Sequence, residues 1–161
     1  MHVTEDVVET GTGKKLTFGI VHKDPMVLII PWDGKYLTLV GQYRYATDNF
    51  SWEFPAGHLV QNSIEQTAHV ELKEETGLSA GGMRAVGEFD LANGHHTQRC
   101  HVYLATDLTV GEPNRDEGEA GMVSKKVTPA ELKQLIIRGV IKDGPTIAAT
   151  SLLLLKDLLR S

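Results

Sequence analysis

The stretch that decides the fold runs from Gly57 to Leu78 and reads GHLVQNSIEQTAHVELKEETGL. Its second half carries Glu71, Glu74 and Glu75, followed at once by Thr76-Gly77. A helix advances about 100° per residue, so the three carboxylates share one face and lie within about 6 Å along the axis. Like charges three or four residues apart cost about 0.2–0.5 kcal/mol per pair. The spacing therefore predicts a helix whose acidic face suits hard cations such as Mg²⁺.

The acidic run has a simpler interpretation, a solvated helix face, because Glu is a good helix former. On the three glutamates alone that interpretation is the favoured one. The surrounding residues reverse the preference. Pro55-Ala56-Gly57 predicts a turn before the helix, Ser63-x-x-Gln66 predicts a capped start, and Gly77 predicts its end.

This arrangement resembles the signature of the Nudix hydrolase family, G-x5-E-x7-R-E-U-x-E-E-x-G-U, in which U is apolar. The second half of the signature is matched by Glu71, Leu72, Glu74, Glu75, Gly77 and Leu78. The first half departs from it. The segment from Gly57 to Glu71 is one residue short, Asn62 or Ser63 stands where a Glu is expected, and Val70 replaces an Arg. In the family that Arg pairs with a catalytic carboxylate and orients it.

Segments outside the signature resemble the ADP-ribose pyrophosphatase branch of the same family. They are Gln42-Tyr43-Arg44-Tyr45-Ala46, Trp52-Glu53-Phe54-Pro55-Ala56-Gly57 and Asp116-Glu117-Gly118-Glu119. The last resembles an acidic loop that contributes a general base or an extra metal ligand. The resemblance covers about residues 15–155 and implies an α/β fold, the α/β/α sandwich of the Nudix type with a mixed β-sheet.

The resemblance also implies roles for individual residues. The metal ligands would be the backbone carbonyl of Ala56 and the carboxylates of Glu71, Glu74, Glu75 and Glu119. Catalysis would depend on Glu74 and on Glu117 or Glu119, and which of these two is the general base stays open. Substrate would be bound by Arg44, Trp52, Glu53 and His96.

Several of these residues have structural alternatives. Arg44 either grips a diphosphate or forms a surface ion pair. Trp52 either stacks on a nucleobase or packs in the core. His95 and His96 lie in a turn-like loop, which favours a substrate contact, or none, over a zinc site. The loop 116–119 could be only a solvated acidic segment, although the upstream signature favours catalysis.

The remaining pattern places strands and helices along the chain. Strands are predicted at 15–21, 26–31, 36–41, 50–54, 83–90 and 101–106, with Asp33-Gly34 as a hairpin turn between the second and third of them. Thr128-Pro129 predicts the start of a helix that ends at Gly139, and a last helix is predicted over about 145–159. This alternation itself predicts an α/β architecture with a mixed sheet.

Bulk properties narrow the class of protein. The 161 residues predict one domain, 1–161, and the net charge of −5 argues against nonspecific nucleic-acid binding. No apolar run approaches the roughly 20 residues that span a bilayer, and the N-terminus lacks a signal-peptide pattern. The single cysteine, Cys100, excludes an internal disulfide and predicts a reducing, cytoplasmic location. Its alternating neighbours indicate a strand residue rather than a nucleophile.

The sequence thus predicts a metal-dependent pyrophosphohydrolase that cleaves a nucleoside diphosphate linked to another moiety. By resemblance, the substrate is ADP-ribose or a related nucleotide sugar, and the cofactor is Mg²⁺ with Mn²⁺ as a substitute. The alternative is a catalytically impaired Nudix-like domain that binds a nucleotide sugar as a sensor. The N-terminal strands within residues 1–30 are expected to help build a homodimer.

Overall fold

In the computed structural model, which describes residues 1–59, 63–115, 117–119 and 121–159, a mixed sheet forms the centre of the molecule. Its strand order is β6-β3-β8-β7, formed by β3 (Met26–Pro31), β6 (Ala56–His58), β7 (Leu78–Asp90) and β8 (Arg99–Val110). Strands β3 and β8 run parallel, and the other two pairs run antiparallel. The predicted mixed sheet is confirmed.

A second sheet of order β5-β4-β9 lies beside the mixed sheet. It consists of β4 (Leu37–Arg44), β5 (Asn49–Glu53) and β9 (Val123–Val127), all antiparallel. Strand β9, VSKKV, was not predicted, because its two lysines and mostly exposed side chains give no apolar alternation. Its existence depends on the ladder with β4 rather than on its own pattern.

The N-terminal residues form an antiparallel two-stranded ribbon of β1 (His2–Glu9) and β2 (Lys15–His22). Val21 joins this ribbon to the body, donating its N–H to His95 O (2.8 Å) and accepting from Thr97 N (3.0 Å). Strand β2 confirms the prediction at 15–21. Strand β1 was not predicted, because most of its residues are exposed and no buried face marks it in the sequence.

Three of the described α-helices pack against the sheets, and together they cover both faces of the mixed sheet. They are α1 (Ile64–Thr76), α2 (Pro129–Ile137) and α3 (Gly144–Leu155). Strand β3 shows the layering most directly. Val27 and Ile29 face the cluster that contains Leu72 of α1, while Leu28 and Ile30 face the cluster shared with α3 and the second sheet. Burial on both faces explains the continuous apolar run of β3.

Helix α1 forms where the sequence predicts it. The Ser63 side chain accepts a hydrogen bond from Gln66 N (3.4 Å), and Gly77 ends the helix with φ of +76°. A Cβ at Gly77 would meet the backbone at Gly111 and Pro113, so no other residue fits there. Ala68 and Leu72 are fully buried, which fixes the acidic face of α1 relative to the sheet.

The Asp33-Gly34 turn is present, but the predicted hairpin ladder is wrong. Asp33 N donates to Tyr36 O (3.1 Å), Gly34 has φ of +90°, and a single bridge joins Trp32 to Leu37. Beyond that bridge β3 and β4 enter different sheets. Both edges of β3 are already occupied by β6 and β8, so β4 pairs with β5 and β9 instead.

Several predicted boundaries also change, among them the end of β4, both ends of β8, the start of β7 and the end of α3. Strand β7 begins at Leu78, five residues before the predicted start, because it continues directly from the end of α1 along β8. Helix α3 ends at Leu155 rather than near 159. Asp157 follows with φ of +51°, and the Lys156 ammonium donates to Val86 O (2.6 Å), which ties the end of the helix to β7. None of the described helices is both long and apolar enough to cross a bilayer.

One buried hydrogen bond fixes α3 against the short segment that joins β5 to β6. Phe54 N donates to the Thr146 hydroxyl (3.0 Å), and both residues are buried. We expect Thr146→Val to lower the free energy of unfolding by about 1–3 kcal/mol, because it leaves the buried Phe54 N–H unsatisfied. Urea unfolding followed by circular dichroism measures this change.

The matched control is Thr150→Val on the same helix. The Thr150 hydroxyl donates to Thr146 O (2.8 Å), one turn back in the same helix, so its loss leaves no backbone N–H unsatisfied. This control should change stability by less than about 0.5 kcal/mol. Equal effects of the two variants would show that the Phe54–Thr146 bond contributes nothing specific.

Candidate functional site

A cleft of about 750 Å³ opens between the acidic face of α1, strands β4 to β6 and the start of α3. It brings together seven of the residues predicted from the sequence: Arg44, Glu53, Ala56, Glu71, Glu74, Glu75 and Glu119. Glu119 comes from a 3₁₀ turn, Glu117–Glu119, and its charge acts on Glu75 of α1. Residues separated by up to 75 positions in sequence therefore share one polar cavity.

Glu75 is the most deeply buried of these carboxylates. Only 3% of the residue is exposed, and its Oε2 accepts a hydrogen bond from Ala56 N at 3.2 Å. Burial, reinforced by the nearby charges of Glu119 and Glu71, raises the pKa of Glu75 to about 8. A carboxylate in this position is unfavourable as an isolated anion and favourable beside a cation.

Glu71 fits against Gly57 of strand β6. The turn predicted at Pro55-Ala56-Gly57 is wrong for Ala56 and Gly57, because both residues pair with β3. A side chain on Gly57 would collide with the Glu71 carboxyl group, so only glycine leaves room for that carboxyl there. Glycine at this position is thus required by the approach of a side chain rather than by backbone angles. The same contact places Glu71 beside β6, on the side of the cleft where Ala56 lies.

Arg44 of β4 and Glu53 of β5 form a bidentate ion pair that lines the cleft. Arg44 Nε donates to Glu53 Oε1 (2.9 Å), and a second bond joins Arg44 Nη2 to Glu53 Oε2. The Glu53 side chain is only 8% exposed, whereas that of Arg44 is 45% exposed. Both sequence alternatives for Arg44 are therefore compatible with the structure, because the pair holds the guanidinium while its open edge lines the cleft.

Two predicted substrate residues lie outside the cleft. Trp52 projects from the opposite face of β5 to Glu53, with its ring 5.4 Å from that of Phe50 and 5.6 Å from Lys125 Nζ. The ring packs partly against the main core. His96 is part of the loop that bridges to Val21, and its Nδ1 accepts from Gln98 N (3.2 Å). Neither residue lines the cleft that the α1 carboxylates line.

The two glutamates of the acidic turn that are candidates for the general base differ in position. Gly118 and Glu119 line the cleft, whereas Glu117 is exposed and does not. Asp116 and Asn62, which the sequence comparison also singled out, lie outside the described residues. Val70, at the position of the missing family Arg, is half-buried and lines the cleft beside Glu71 and Glu74.

Sequence reasoning missed Asp143 and His58, which also line the cleft. Asp143 caps α3 by accepting from Thr146 N (2.8 Å), and burial raises its pKa, with Glu53 adding to the effect. Burial lowers the pKa of His58. The Asp-Gly-Pro-Thr run signals a helix start, but only the tertiary fold reveals that this start faces Glu53 and Arg44.

Cys100 lies in β8 and is completely buried in the main core. Burial raises the pKa of its thiol to about 12. The thiol is thus neutral and inaccessible, as expected for a structural strand residue.

The cleft residues fit a hard divalent cation by their chemistry. Their donors are carboxylate oxygens, and among the described residues no salt bridge engages the buried Glu75 carboxyl group. Within the described part of the chain, no three acidic, histidine or cysteine groups converge on one point. Mg²⁺ does not require such a cage, since it keeps several waters and binds through one or two carboxylates plus substrate phosphates.

Comparisons with known proteins agree with this geometry. The NUDIX domain family model matches residues 22–149. The chain is 32% identical over 149 residues to an ADP-ribose pyrophosphatase of Mycobacterium tuberculosis, covering 91% of this chain and 66% of that protein. It is 31% identical over 157 residues to an ADP-ribose pyrophosphatase of Bacillus subtilis, covering 96% and 85%.

A solved structure shares the fold at low sequence identity. The crystal structure of an ADP compounds hydrolase superposes with a TM-score of 0.85 and 19% identity, covering 94% of this chain and 83% of that one. The family model spans most of the chain. The degenerate signature lies on α1, and its glutamates line the acidic cleft. The chain belongs to the Nudix family.

Proposed function

We propose that this Nudix hydrolase is a divalent-metal-dependent pyrophosphohydrolase that cleaves ADP-ribose to AMP and ribose 5-phosphate. The observation that carries the proposal is that Glu71, Glu74, Glu75, Glu119 and Arg44 line one cleft. The names of the M. tuberculosis and B. subtilis relatives support ADP-ribose over other nucleoside diphosphate derivatives.

The α1 carboxylates and the carbonyl of Ala56 would hold the metal. Mg²⁺ bound there, or Mn²⁺ in its place, supplies charge neutralisation of the diphosphate and a lowered pKa of bound water. Glu74 lies on the same face as Glu71 and belongs to both the metal-holding and the catalytic set. The buried Glu75 is pre-positioned by its bond from Ala56 N.

Glu119 is the favoured general base, since Glu117 does not line the cleft. Its carboxylate accepts the proton of the attacking water, which adds to phosphorus as the bond to the bridging oxygen breaks. Arg44 donates to a non-bridging phosphate oxygen through its exposed edge. The ion pair with Glu53 holds the guanidinium in place. These roles place the scissile diphosphate between α1 and β4.

A substrate panel tests the proposal. Purified protein with Mg²⁺ is incubated with ADP-ribose, other nucleotide sugars, dinucleotides and an oxidised nucleotide, and phosphate is counted after coupled phosphatase treatment. ADP-ribose should give the highest kcat/KM. Tight binding of a nucleotide sugar without turnover would instead support the sensor alternative, which the loss of the family Arg at Val70 motivates.

Location and partners follow the same proposal. We expect a cytoplasmic enzyme with a small nucleotide as its substrate, no membrane attachment and no nucleic-acid partner. The buried, unpaired thiol of Cys100 and the net charge of −5 support these expectations.

The first test variant is Glu75→Gln. The amide oxygen can still accept from Ala56 N, so the fold should persist. We expect kcat to fall by about 100-fold or more, since loss of a residue that merely orients a metal ligand already costs about 10–100-fold. In EDTA at neutral pH the variant should melt at a higher temperature than the wild type. Folding raises the pKa of Glu75 to about 8, so burying this carboxyl group costs stability at neutral pH, and an amide does not incur that cost.

Mg²⁺ should raise the melting temperature of the wild type and leave that of Glu75→Gln unchanged. Glu65→Gln is the matched control, since Glu65 is exposed in the first turn of the same helix. It should retain both activity and the Mg²⁺ response. Wild-type turnover by Glu75→Gln at limiting Mg²⁺ would refute the metal-site assignment.

The second test variant is Val70→Arg. Val70 lines the cleft instead of either hydrophobic core, so a guanidinium there can reach the flank of Glu71 and Glu74 without being buried. We expect a stably folded variant with a few-fold higher turnover or a few-fold tighter apparent Mg²⁺ affinity. Melting curves and Mg²⁺ titrations of activity measure both properties.

Val70→Lys provides the control for Val70→Arg, because it adds a charge without the bidentate fork. It should give a smaller gain. A folded Val70→Arg variant with wild-type rate and metal dependence would show that the missing Arg does not limit this enzyme.

We further propose a homodimer built through the N-terminal ribbon. Among the residues that the structure describes, its strands pair only with each other apart from the bridge at Val21. The register of the two strands puts Val8, Leu16 and Phe18 on one face, where they are 48%, 38% and 41% exposed. An isolated two-stranded ribbon is marginal in water, so these apolar side chains need a partner surface.

Light scattering at micromolar concentration should give twice the mass of one chain. Phe18→Asp should lower that mass toward the monomer, whereas Val110→Asp, at a 78% exposed position on β8, should not. A wild-type protein with the mass of a single chain would contradict the dimer.

A further inference from the structure

Arg115 uses its guanidinium to join two backbone segments next to the cleft. Its Nε donates to Glu75 O (3.0 Å), its Nη1 donates to Met122 O (2.6 Å), and its Nη2 donates to the Ser124 hydroxyl (3.3 Å). The residue is half-buried and does not line the cleft. Its bonds are therefore directed at the scaffold and away from the substrate position.

The first of these bonds reaches the helix that carries the acidic face. Asn114 N donates to Glu74 O (3.1 Å), and Gly111 N donates to Gly77 O (2.9 Å). The segment 111–115 thus crosses the C-terminal end of α1 and satisfies its last carbonyls. A positive charge is also favourable there, because the helix dipole is negative at that end.

The second bond closes the base of the acidic turn. Met122 is 2% exposed, and its N–H donates to Glu119 O (2.8 Å). Arg115 precedes the turn Glu117–Glu119 and Met122 follows it, so one side chain connects both sides of that turn. A chain of three hydrogen bonds therefore runs from Glu75 O through Arg115 and Met122 to Glu119 O.

We propose that Arg115 is a positioning residue that holds Glu119 in register with the α1 carboxylates. The inference rests on the proposed function, in which Glu119 is the general base or a metal ligand. Arg115 donates to the carbonyls of Glu75 and Met122, and Met122 in turn donates its N–H to Glu119 O. Arg115 therefore gives this chain a scaffold restraint on its site carboxylates although Val70 stands at the family's Arg position.

The geometry requires arginine specifically. Three donors of one planar group reach acceptors on two segments, which a single ammonium cannot reproduce. Lysine at this position keeps the charge at the end of α1 and can retain one of the bonds. Comparison of Arg115→Ala with Arg115→Lys therefore separates the effect of the charge from that of the fork.

Hydrogen exchange on the metal-free protein provides the first test. Arg115→Ala should accelerate exchange of the amides at 117–119 and 122–124, and Arg115→Lys should do so less. Arg99→Ala is the control, since Arg99 only forms exposed ion pairs with Glu88 and Asp90. It should leave exchange in these segments unchanged.

Kinetics and metal binding provide the second test, at a temperature where all variants are folded. We expect Arg115→Ala to lower kcat on ADP-ribose by about 10–100-fold, because a displacement of about 1 Å can cost about 100-fold. KM should change by less than about threefold, and Mn²⁺ affinity measured by calorimetry should weaken by about three- to tenfold. Arg115→Lys should recover part of kcat.

The outcomes are distinguishable. If Arg115→Ala only lowers the melting temperature while kcat and Mn²⁺ affinity stay at wild-type values, the positioning role is overturned and Arg115 is merely structural. If the wild type hydrolyses nothing on the substrate panel, the proposed function fails. The exchange and Mn²⁺ measurements then still decide the role of Arg115, since unchanged values in Arg115→Ala would overturn it.

Discussion

The structure depends on the concentration of negative charge at the C-terminal half of α1. Glu71, Glu74 and Glu75 repel one another there, at the end of the helix where the dipole is also negative. Glu75 is in addition nearly inaccessible to water. This arrangement opposes helix formation by itself, so the surrounding fold must supply what the helix lacks.

The surrounding fold supplies donors and space from distant parts of the chain. Ala56 N donates to the Glu75 carboxylate, and Gly57 leaves room for Glu71. The Arg115 guanidinium lies at the last turn of α1. Buried side chains such as Leu72 hold the helix on β3, whose own two faces are fully covered. Tertiary packing thus stabilises a helix that its charges would otherwise weaken.

The parts of this fold that local chemistry specifies are those that the sequence predicts. Helix α1 has its cap at Ser63 and its stop at Gly77, and both are interactions within a few residues. The partners of a strand are not local. The Asp33-Gly34 turn forms as expected, yet β3 and β4 diverge because other strands occupy the edges of β3. The sequences of β1 and β9 show no alternation of buried and exposed residues. These strands form because they pair with β2 and β4.

The same distinction applies to the site. The carboxylates of α1 were predictable because one helix face carries them, and Glu53 and Arg44 because they occur in recognisable runs. Trp52 follows Ser51 and precedes Glu53, so the alternation of β5 sends its ring to the other face of the sheet. Asp143 enters the cleft only because α3 begins beside Arg44, which no local pattern of the sequence records.

The charge balance of the cleft connects these observations to function. Among the residues that the structure describes, its walls carry six carboxylates and one guanidinium, that of Arg44, which is already paired with Glu53. The carboxylates are those of Glu53, Glu71, Glu74, Glu75, Glu119 and Asp143. A diphosphate would meet a repulsive field in such a cavity. Divalent cations reverse that field locally and are attracted by the same carboxylates. Anionic substrate and metal are therefore expected to bind cooperatively, since each lowers the electrostatic cost of the other. The Arg44–Glu53 pair contributes direction rather than net charge, because its bidentate geometry fixes where one phosphate oxygen can be met.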